Sequence, residues 1–163
     1  MTTDGHVTAA DRVGAQRRAW DEGTLPPVEL VRPDLWSIPV PIPDNPLRYT
    51  LTYALGHPRG LTLIDPGWDA PASWTALLAG IAATGHQIAD VVAVLATHVH
   101  PDHYGLAGKV REASGSWVGL HAADAALLHT DHATGLPAVA VAARSLFDDA
   151  GAPPLDLPLS MMD

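Results

Sequence analysis

The densest group of chemically active side chains lies at positions 97–103, which read Thr-His-Val-His-Pro-Asp-His. This window places His98, His100, Asp102 and His103 within six residues of one another. Imidazole and carboxylate donors suit Zn²⁺, with Fe or Mn as alternatives, and one or two ions could be held. A zinc ion with an open coordination position lowers the pKa of its bound water to near neutrality. The cluster therefore predicts a metal site that activates water.

A structural interpretation of the same residues stands beside the chemical one. Asp102 is of a type that caps helices, so the segment is also compatible with a polar loop whose histidines are solvated. A lone histidine is more often structural than a metal ligand. Four donors in one short window favour the metal site.

The cluster follows the segment VVAVLAT, residues 91–97, which predicts a strand covered on both faces. In an extended chain, residues two apart point to the same side, so His98 and His100 can converge on one ion. Pro101 keeps His100 extended, and Asp102 and His103 follow around a turn. A helix is then predicted from Tyr104 to Ala113.

The segment upstream of the cluster predicts a hairpin and a helix. The first twenty residues predict a peripheral helix, and the proline-dense stretch 25–46 predicts loop or edge structure, with a short edge strand at Leu35–Val40. Residues 47–64 predict two strands joined by a turn at positions 57–60. Residues 71–84 predict a helix with one apolar face, made of Trp74, Leu77, Leu78 and Ile81.

Downstream of the cluster, strands and helices continue to alternate. A strand is predicted at Ser116–Leu120, and helices are predicted at Ala122–His129 and Pro137–Asp148. The smaller group His129, Asp131 and His132 is interpreted as a helix end, where cationic side chains meet the dipole. The alternation indicates the α/β class, a sheet covered by helices.

Composition excludes several kinds of site and partner. The chain of 163 residues has no cysteine, which removes disulfides and thiolate ligands, and its net charge of −9 opposes binding to nucleic acid. No apolar run is long enough to span a membrane, and the first residues do not read as a secretory signal. We expect one domain in a cytoplasmic protein that acts on a small molecule.

The motif His98-x-His100-x-Asp102-His103, after an apolar strand ending in Thr97, resembles the signature of the metallo-β-lactamase fold superfamily. The segment LTLIDPGWD, residues 61–69, resembles the earlier strand of that family, which ends in an aspartate and a glycine turn. The likeness extends over roughly positions 35–130. It implies an αββα sandwich, in which two sheets face each other between outer helices.

The resemblance also implies roles for individual residues. His98 and His100 would bind one metal, Asp102 and His103 would bind the second, and Asp65 would support the ligands from behind. The implied activity is that of a hydrolase, in which metal-bound hydroxide attacks an ester, thioester, lactone or amide and Asp102 orients that hydroxide. The alternative is a truncated, non-catalytic remnant that binds metal or a partner.

The chain departs from the family after residue 132, because no histidine follows to supply the later ligands. We therefore expect the first half of the fold only, with one bare sheet face, completed by a missing C-terminal half or by a second copy in a homodimer. The expected organisation is a helical extension at 1–24, the metallo-β-lactamase-like half at 25–150 and a linker-like tail at 151–163.

Overall fold

A computed structural model describes residues 9–128 of the chain. The chain divides into two compact units, Met1–His121 and Ala122–Asp163, and the described part of the second unit is one helix. The predicted helix Pro137–Asp148 and the group His129, Asp131 and His132 lie outside the described residues. No helix within residues 9–128 is long and apolar enough to cross a bilayer.

The described part contains five α-helices and six strands. In chain order they are α1 (Ala9–Glu22), β1 (Glu29–Arg32), β2 (Leu35–Pro41), β3 (Tyr49–His57), β4 (Gly60–Ile64), α2 (Pro71–Ala83), β5 (Val91–Leu95), α3 (Pro101–Tyr104), α4 (Ala107–Ser114), β6 (Trp117–Gly119) and α5 (Ala122–Leu128). A 3₁₀ turn, Ile88–Asp90, leads into β5. The hairpin of β3 and β4, the strand β5 and the helix α2 agree with the sequence predictions.

The six strands form one mixed sheet in which sequence order equals spatial order. Strands β1 to β4 are antiparallel neighbours, whereas β4, β5 and β6 are parallel. Parallel neighbours need a crossover connection, and α2 supplies the first while α3 and α4 supply the second. The predicted α/β class with an opening hairpin is confirmed.

The main core lies on the face of the sheet that the helices cover. Leu77 and Ile81 of α2 join Ile38, Leu61 and Leu63 of the sheet in one buried cluster, and each is at most 1% exposed. Val94, Leu106 and Val110 extend the same cluster beneath α4. Burial of these aliphatic side chains holds α2 and α4 against the strands.

The opposite face of the sheet carries exposed apolar side chains. Tyr53 and Leu55 of β3, Leu95 of β5 and Trp117 of β6 are 38%, 41%, 37% and 58% exposed. The strand registers place them on the side away from Leu61 and Leu63. The expected half-sandwich would leave this face bare, and within residues 9–128 these four side chains are partly exposed on it.

The predicted edge strand Leu35–Val40 forms as β2, but its first part is not an edge. β1 pairs with Leu35, Trp36 and Ser37, so β2 is interior there and β1 takes the outer position. Beyond Ser37 only β3 pairs with β2 among the described strands. Pro39 lies in this second part, where a residue without a backbone N–H costs no hydrogen bond to a further strand.

The buried face of α2 is rotated slightly from the predicted one. Its buried positions are Ser73, Leu77, Gly80 and Ile81, whereas the predicted Trp74 is partly buried against the same core and Leu78 is half-buried. Ser73 Oγ donates a hydrogen bond to Pro41 O at 2.7 Å. Gly80 lies directly on Ile38, where a side chain would have no room. The close approach of the α2 backbone to β2, rather than the apolar content of the helix, decides which face of α2 is buried.

We predict that Gly80→Ala destabilises the fold, because the added Cβ would overlap Ile38 Cγ2 and lie 3.3 Å from Ile38 Cβ. Overpacking of this kind costs about 1 to 3 kcal/mol. The matched control is Gly108→Ala in α4, where an added Cβ meets nothing within 4 Å. That change should raise stability by about 0.5 to 1 kcal/mol. Urea unfolding measures both variants, and equal stability of the two would contradict the proposed close packing.

Candidate metal centre

The sheet topology brings Asp65 and the histidine cluster to one edge. Asp65 follows β4 and the segment Thr97–His103 follows β5, and these two strands are adjacent and parallel. The carboxyl ends of parallel neighbours meet at the same edge of a sheet, which is where α/β proteins bind ligands. Residues 32 to 38 positions apart in sequence therefore meet in space.

Asp65 is buried, with 8% of the residue and 12% of its side chain exposed, and its carboxylate accepts three hydrogen bonds. Oδ1 accepts from Thr97 N at 2.7 Å, and Oδ2 accepts from Thr97 Oγ1 and His103 Nδ1, each at 2.9 Å. The backbone of Asp65 has a positive φ of 54°, which aspartate tolerates better than most residues. One carboxylate therefore ties the end of β4 to the loop after β5 and to α3.

The three imidazoles of the cluster lie side by side. The ring centroids of His98 and His100 are 4.5 Å apart, and those of His98 and His103 are 4.2 Å apart. Val99, between the first two histidines, is buried at 8% exposure, whereas His100 is exposed. The chain from 97 to 99 is bent rather than a regular strand, but His98 and His100 still face each other as the spacing predicts.

Asp102 and His103 form the second pair of donors. His103 Nε2 lies 3.3 Å from Asp102 Oδ2. Two ligands of one tetrahedral zinc ion, each about 2.1 Å from the metal, are separated by roughly 3.4 Å. Nδ1 of His103 donates to Asp65, so in a neutral ring Nε2 would be an acceptor facing a carboxylate oxygen, an arrangement that a cation stabilises, whereas a protonated ring would donate Nε2–H to Asp102.

The donors lie close together without forming a complete ligand set, and the spacing of Asp102 and His103 is the one that matches two ligands of a zinc ion. Within residues 9–128, no three His, Asp or Glu side chains are already arranged around one point as a metal site. His98 with His100 and Asp102 with His103 would each give an ion two protein ligands, whereas a catalytic zinc has three. The assignment of these four residues as ligands stays a prediction, and it requires further donors.

Burial lowers the pKa of His98 from its ordinary value of 6.5, and the neighbouring His103 and His100 lower it further. Asp65 and Asp102 act in the opposite direction with smaller effect. A lowered pKa keeps the imidazole neutral, and the neutral ring is the form that binds a metal.

The structural interpretation of Asp102 as a helix cap is wrong. His100 occupies the N-cap position of α3, with φ −60° and ψ 144°, and Pro101 begins the helix. His100 is therefore extended, as Pro101 predicts, but Asp102 and His103 lie within the first turn of a helix rather than in a turn before it. A helix leaves the N–H of its first residue unpaired, and proline has no N–H to lose there. Its fixed φ also suits the first helical position, which explains why the helix begins at Pro101.

Two glycines fix the distance between the Asp65 loop and α3. Leu106 N donates a hydrogen bond to Gly67 O at 2.9 Å, and a Cβ at Gly105 would lie 2.7 Å from Asp69 N and 3.0 Å from Gly67 O. Backbone thus packs directly on backbone beside the cluster. No local sequence pattern predicts a role for Gly105 or for the Thr97 hydroxyl, because both depend on partners more than thirty residues away in sequence.

A cleft of about 520 Å³ opens between the end of α1 and the loop joining β2 to β3. Pro41, Asp44, Arg48 and Tyr49 are among its lining residues, and none of the four predicted ligands is. The histidine cluster therefore lies outside this cleft.

Comparison with known proteins agrees with the geometry. The family model described as the metallo-beta-lactamase superfamily matches residues 45–157, more than two thirds of the chain. The chain belongs to the metallo-beta-lactamase superfamily. Members of this superfamily bind divalent metals, typically zinc. No curated protein matches the chain.

Two solved structures illustrate the likeness. A metallo-beta-lactamase family protein from Thermus thermophilus is 35% identical, with a TM-score of 0.59 over 78% of this chain and 41% of that one. A metallo-beta-lactamase from Cronobacter sakazakii with the motif HARLDQ is 26% identical, with a TM-score of 0.53 over 62% of this chain and 37% of that one. The chain thus spans less than half the length of either relative.

In the metal-free metallo-beta-lactamase half, we predict that His98 titrates below pH 6.5, because burial and the adjacent imidazoles disfavour its charged form. The neutral form is then favoured by folding, so the contribution of His98 to stability is fully present above its unfolded pKa and is lost as pH falls from that value through the lower folded pKa. Nuclear magnetic resonance of the imidazole C2 protons measures the midpoint. A midpoint above that of a histidine peptide would contradict the desolvation of this ring.

We predict that Asp65→Asn weakens zinc binding by roughly 10 to 100-fold, because an amide cannot accept all three hydrogen bonds. Asparagine tolerates the positive φ, so the backbone should be retained. The matched control is Asp44→Asn, at an exposed residue with the same φ of 54°. Competition with a chelator measures affinity, and equal zinc affinity of the two variants would show that Asp65 does not support the ligands.

Proposed function

We propose that this chain carries the metal-binding half of a metal-dependent hydrolase that cleaves an ester, thioester, lactone or amide. The observation that carries the proposal is the pair His103 Nε2 and Asp102 Oδ2, a nitrogen and an oxygen 3.3 Å apart beside a cluster of imidazoles, which is the spacing of two ligands of one tetrahedral zinc ion. Membership of the metallo-beta-lactamase superfamily supports the same reaction class.

The proposed ligands are His98 and His100 for one ion and Asp102 and His103 for a second. Zinc, the metal we propose, supplies a water of lowered pKa and a positive charge opposite the developing oxyanion. Asp102 has a second role in the proposal, since its carboxylate would accept a hydrogen bond from the attacking water and orient it. Asp65 would hold His103, and through Thr97 the loop after β5, in place.

The substrate is proposed to be a small molecule rather than a nucleic acid. Acidic residues number 18 against 9 basic ones, and the resulting net charge of −9 repels phosphate backbones. The site lies at an open edge of the sheet, where Thr97 and His100 are exposed to an incoming substrate. A cytoplasmic location remains the prediction from sequence.

Completion of the ligand set is part of the proposal. Two ligands per ion are too few for a catalytic zinc, and the chain spans 41% of its Thermus thermophilus relative. We propose that the remaining donors belong to the second half of the fold, which would also cover the apolar face containing Tyr53, Leu55 and Trp117. Association of two copies is the competing arrangement, and the molecular mass in solution distinguishes the two.

We predict that His98→Ala lowers zinc content and, where a second copy or the second half of the fold supplies the remaining donors, abolishes metal-dependent hydrolysis, because one of two ligands of the first ion is lost. The matched control is His57→Ala, at the hairpin turn at the opposite end of β4, where the ring contacts Thr62. This variant should keep both zinc and activity. Elemental analysis gives zinc per chain, and chromogenic ester and thioester substrates give turnover.

Three outcomes distinguish the possibilities. Zinc and turnover that both depend on His98 support the hydrolase. Zinc binding that depends on His98 without turnover would favour the non-catalytic alternative for this chain. Unchanged turnover in His98→Ala would show that the proposed site is not the site of the reaction.

A further inference from the structure

The Thr97 hydroxyl lies between a carboxylate and an imidazole. Its Oγ1 is 2.9 Å from Asp65 Oδ2 and 3.0 Å from His98 Nδ1. A hydroxyl has one proton and two lone pairs, whereas an ionised carboxylate can only accept. The Thr97 proton must therefore go to Asp65, and Oγ1 presents a lone pair to His98.

The direction of the hydrogen bond from Thr97 to Asp65 determines the direction of the bond between Thr97 and His98. Because Thr97 Oγ1 can only accept from His98, the ring nitrogen Nδ1 must carry the proton. In a neutral imidazole the other nitrogen, Nε2, is then unprotonated and free to bind a cation. His103 is oriented in the same way but without an intermediary, since its Nδ1 donates directly to Asp65 Oδ2 at 2.9 Å.

We infer that Thr97 is a positioning residue. Its hydroxyl bridges Asp65 and His98 by hydrogen bonds and fixes the tautomer of the His98 ring with its proton on Nδ1. One carboxylate thus sets the proton positions of two imidazoles, His103 directly and His98 through a hydroxyl. The assignment of the two tautomers depends only on the hydrogen bonds. Their consequence, a preformed Nε2 donor for the metal, rests on the proposed function.

The environment of Thr97 makes its hydroxyl separable from its other contacts. Its backbone N–H donates to Asp65 Oδ1 at 2.7 Å, so this link survives any change of side chain. The side chain is exposed, so removal of its oxygen leaves no buried cavity. Thr97→Val keeps the branched shape without the hydroxyl, and Thr97→Ser keeps the hydroxyl with less bulk.

The first test measures tautomers in the metal-free chain labelled with ¹⁵N-histidine, by long-range ¹H–¹⁵N correlation at about pH 8, where imidazoles are neutral. We expect His98 to carry its proton on Nδ1 in the wild type and in Thr97→Ser, and to become a mixture of tautomers in Thr97→Val. His103 should keep its Nδ1 proton in all three proteins, which also shows that each variant is folded. A wild-type His98 with its proton on Nε2, or an unchanged His98 in Thr97→Val, would overturn the inference.

The second test measures zinc affinity of the same proteins by chelator competition. Loss of a group that orients a ligand typically weakens metal binding by roughly 10 to 100-fold, so Thr97→Val should bind zinc that much more weakly and Thr97→Ser should remain near the wild type. Equal affinity of Thr97→Val and the wild type would contradict the positioning role. If no protein binds zinc while the tautomers are as expected, the proposed function fails and the assignment of the tautomers stands.

Discussion

The buried carboxylate of Asp65 joins the end of β4 to two segments that follow the next strand. It accepts hydrogen bonds from the backbone and hydroxyl of Thr97 and from the ring of His103. A buried charge is tolerated only when such bonds replace its hydration, so the loop after β5 and helix α3 must adopt the conformation that supplies them. The positions of His98, Asp102 and His103 follow from this requirement.

Those parts of the fold that depend on local patterns could be predicted from the sequence. The continuous aliphatic run before Thr97 forms β5, the alternating segment before the turn at residues 58–59 forms a hairpin, and Pro101 keeps His100 extended. The spacing of His98 and His100 predicted two side chains on the same side of the chain, and their ring centroids lie 4.5 Å apart. Each of these features is encoded within a few neighbouring residues.

The features that the sequence analysis missed depend on contacts across the sheet. Among the described strands, β2 is interior over the residues that pair with β1 and not beyond them. In α2, Gly80 faces Ile38 because the close approach requires a residue without a side chain. The hydroxyl of Thr97 gains its role from a carboxylate 32 residues earlier. The periodicity of apolar residues does not predict such contacts, since small and polar residues make them.

The contact of Gly67 with Gly105 and Leu106 separates the scaffold of the site from its lining. Since main-chain atoms make this contact, side chains on the surrounding surface can diverge without altering it, provided that Asp65 keeps its bonds to Thr97 and His103. Selection for a new substrate can therefore act on the rim while the metal-binding frame stays constant. Such modularity is one physical route by which a single architecture comes to serve many different reactions.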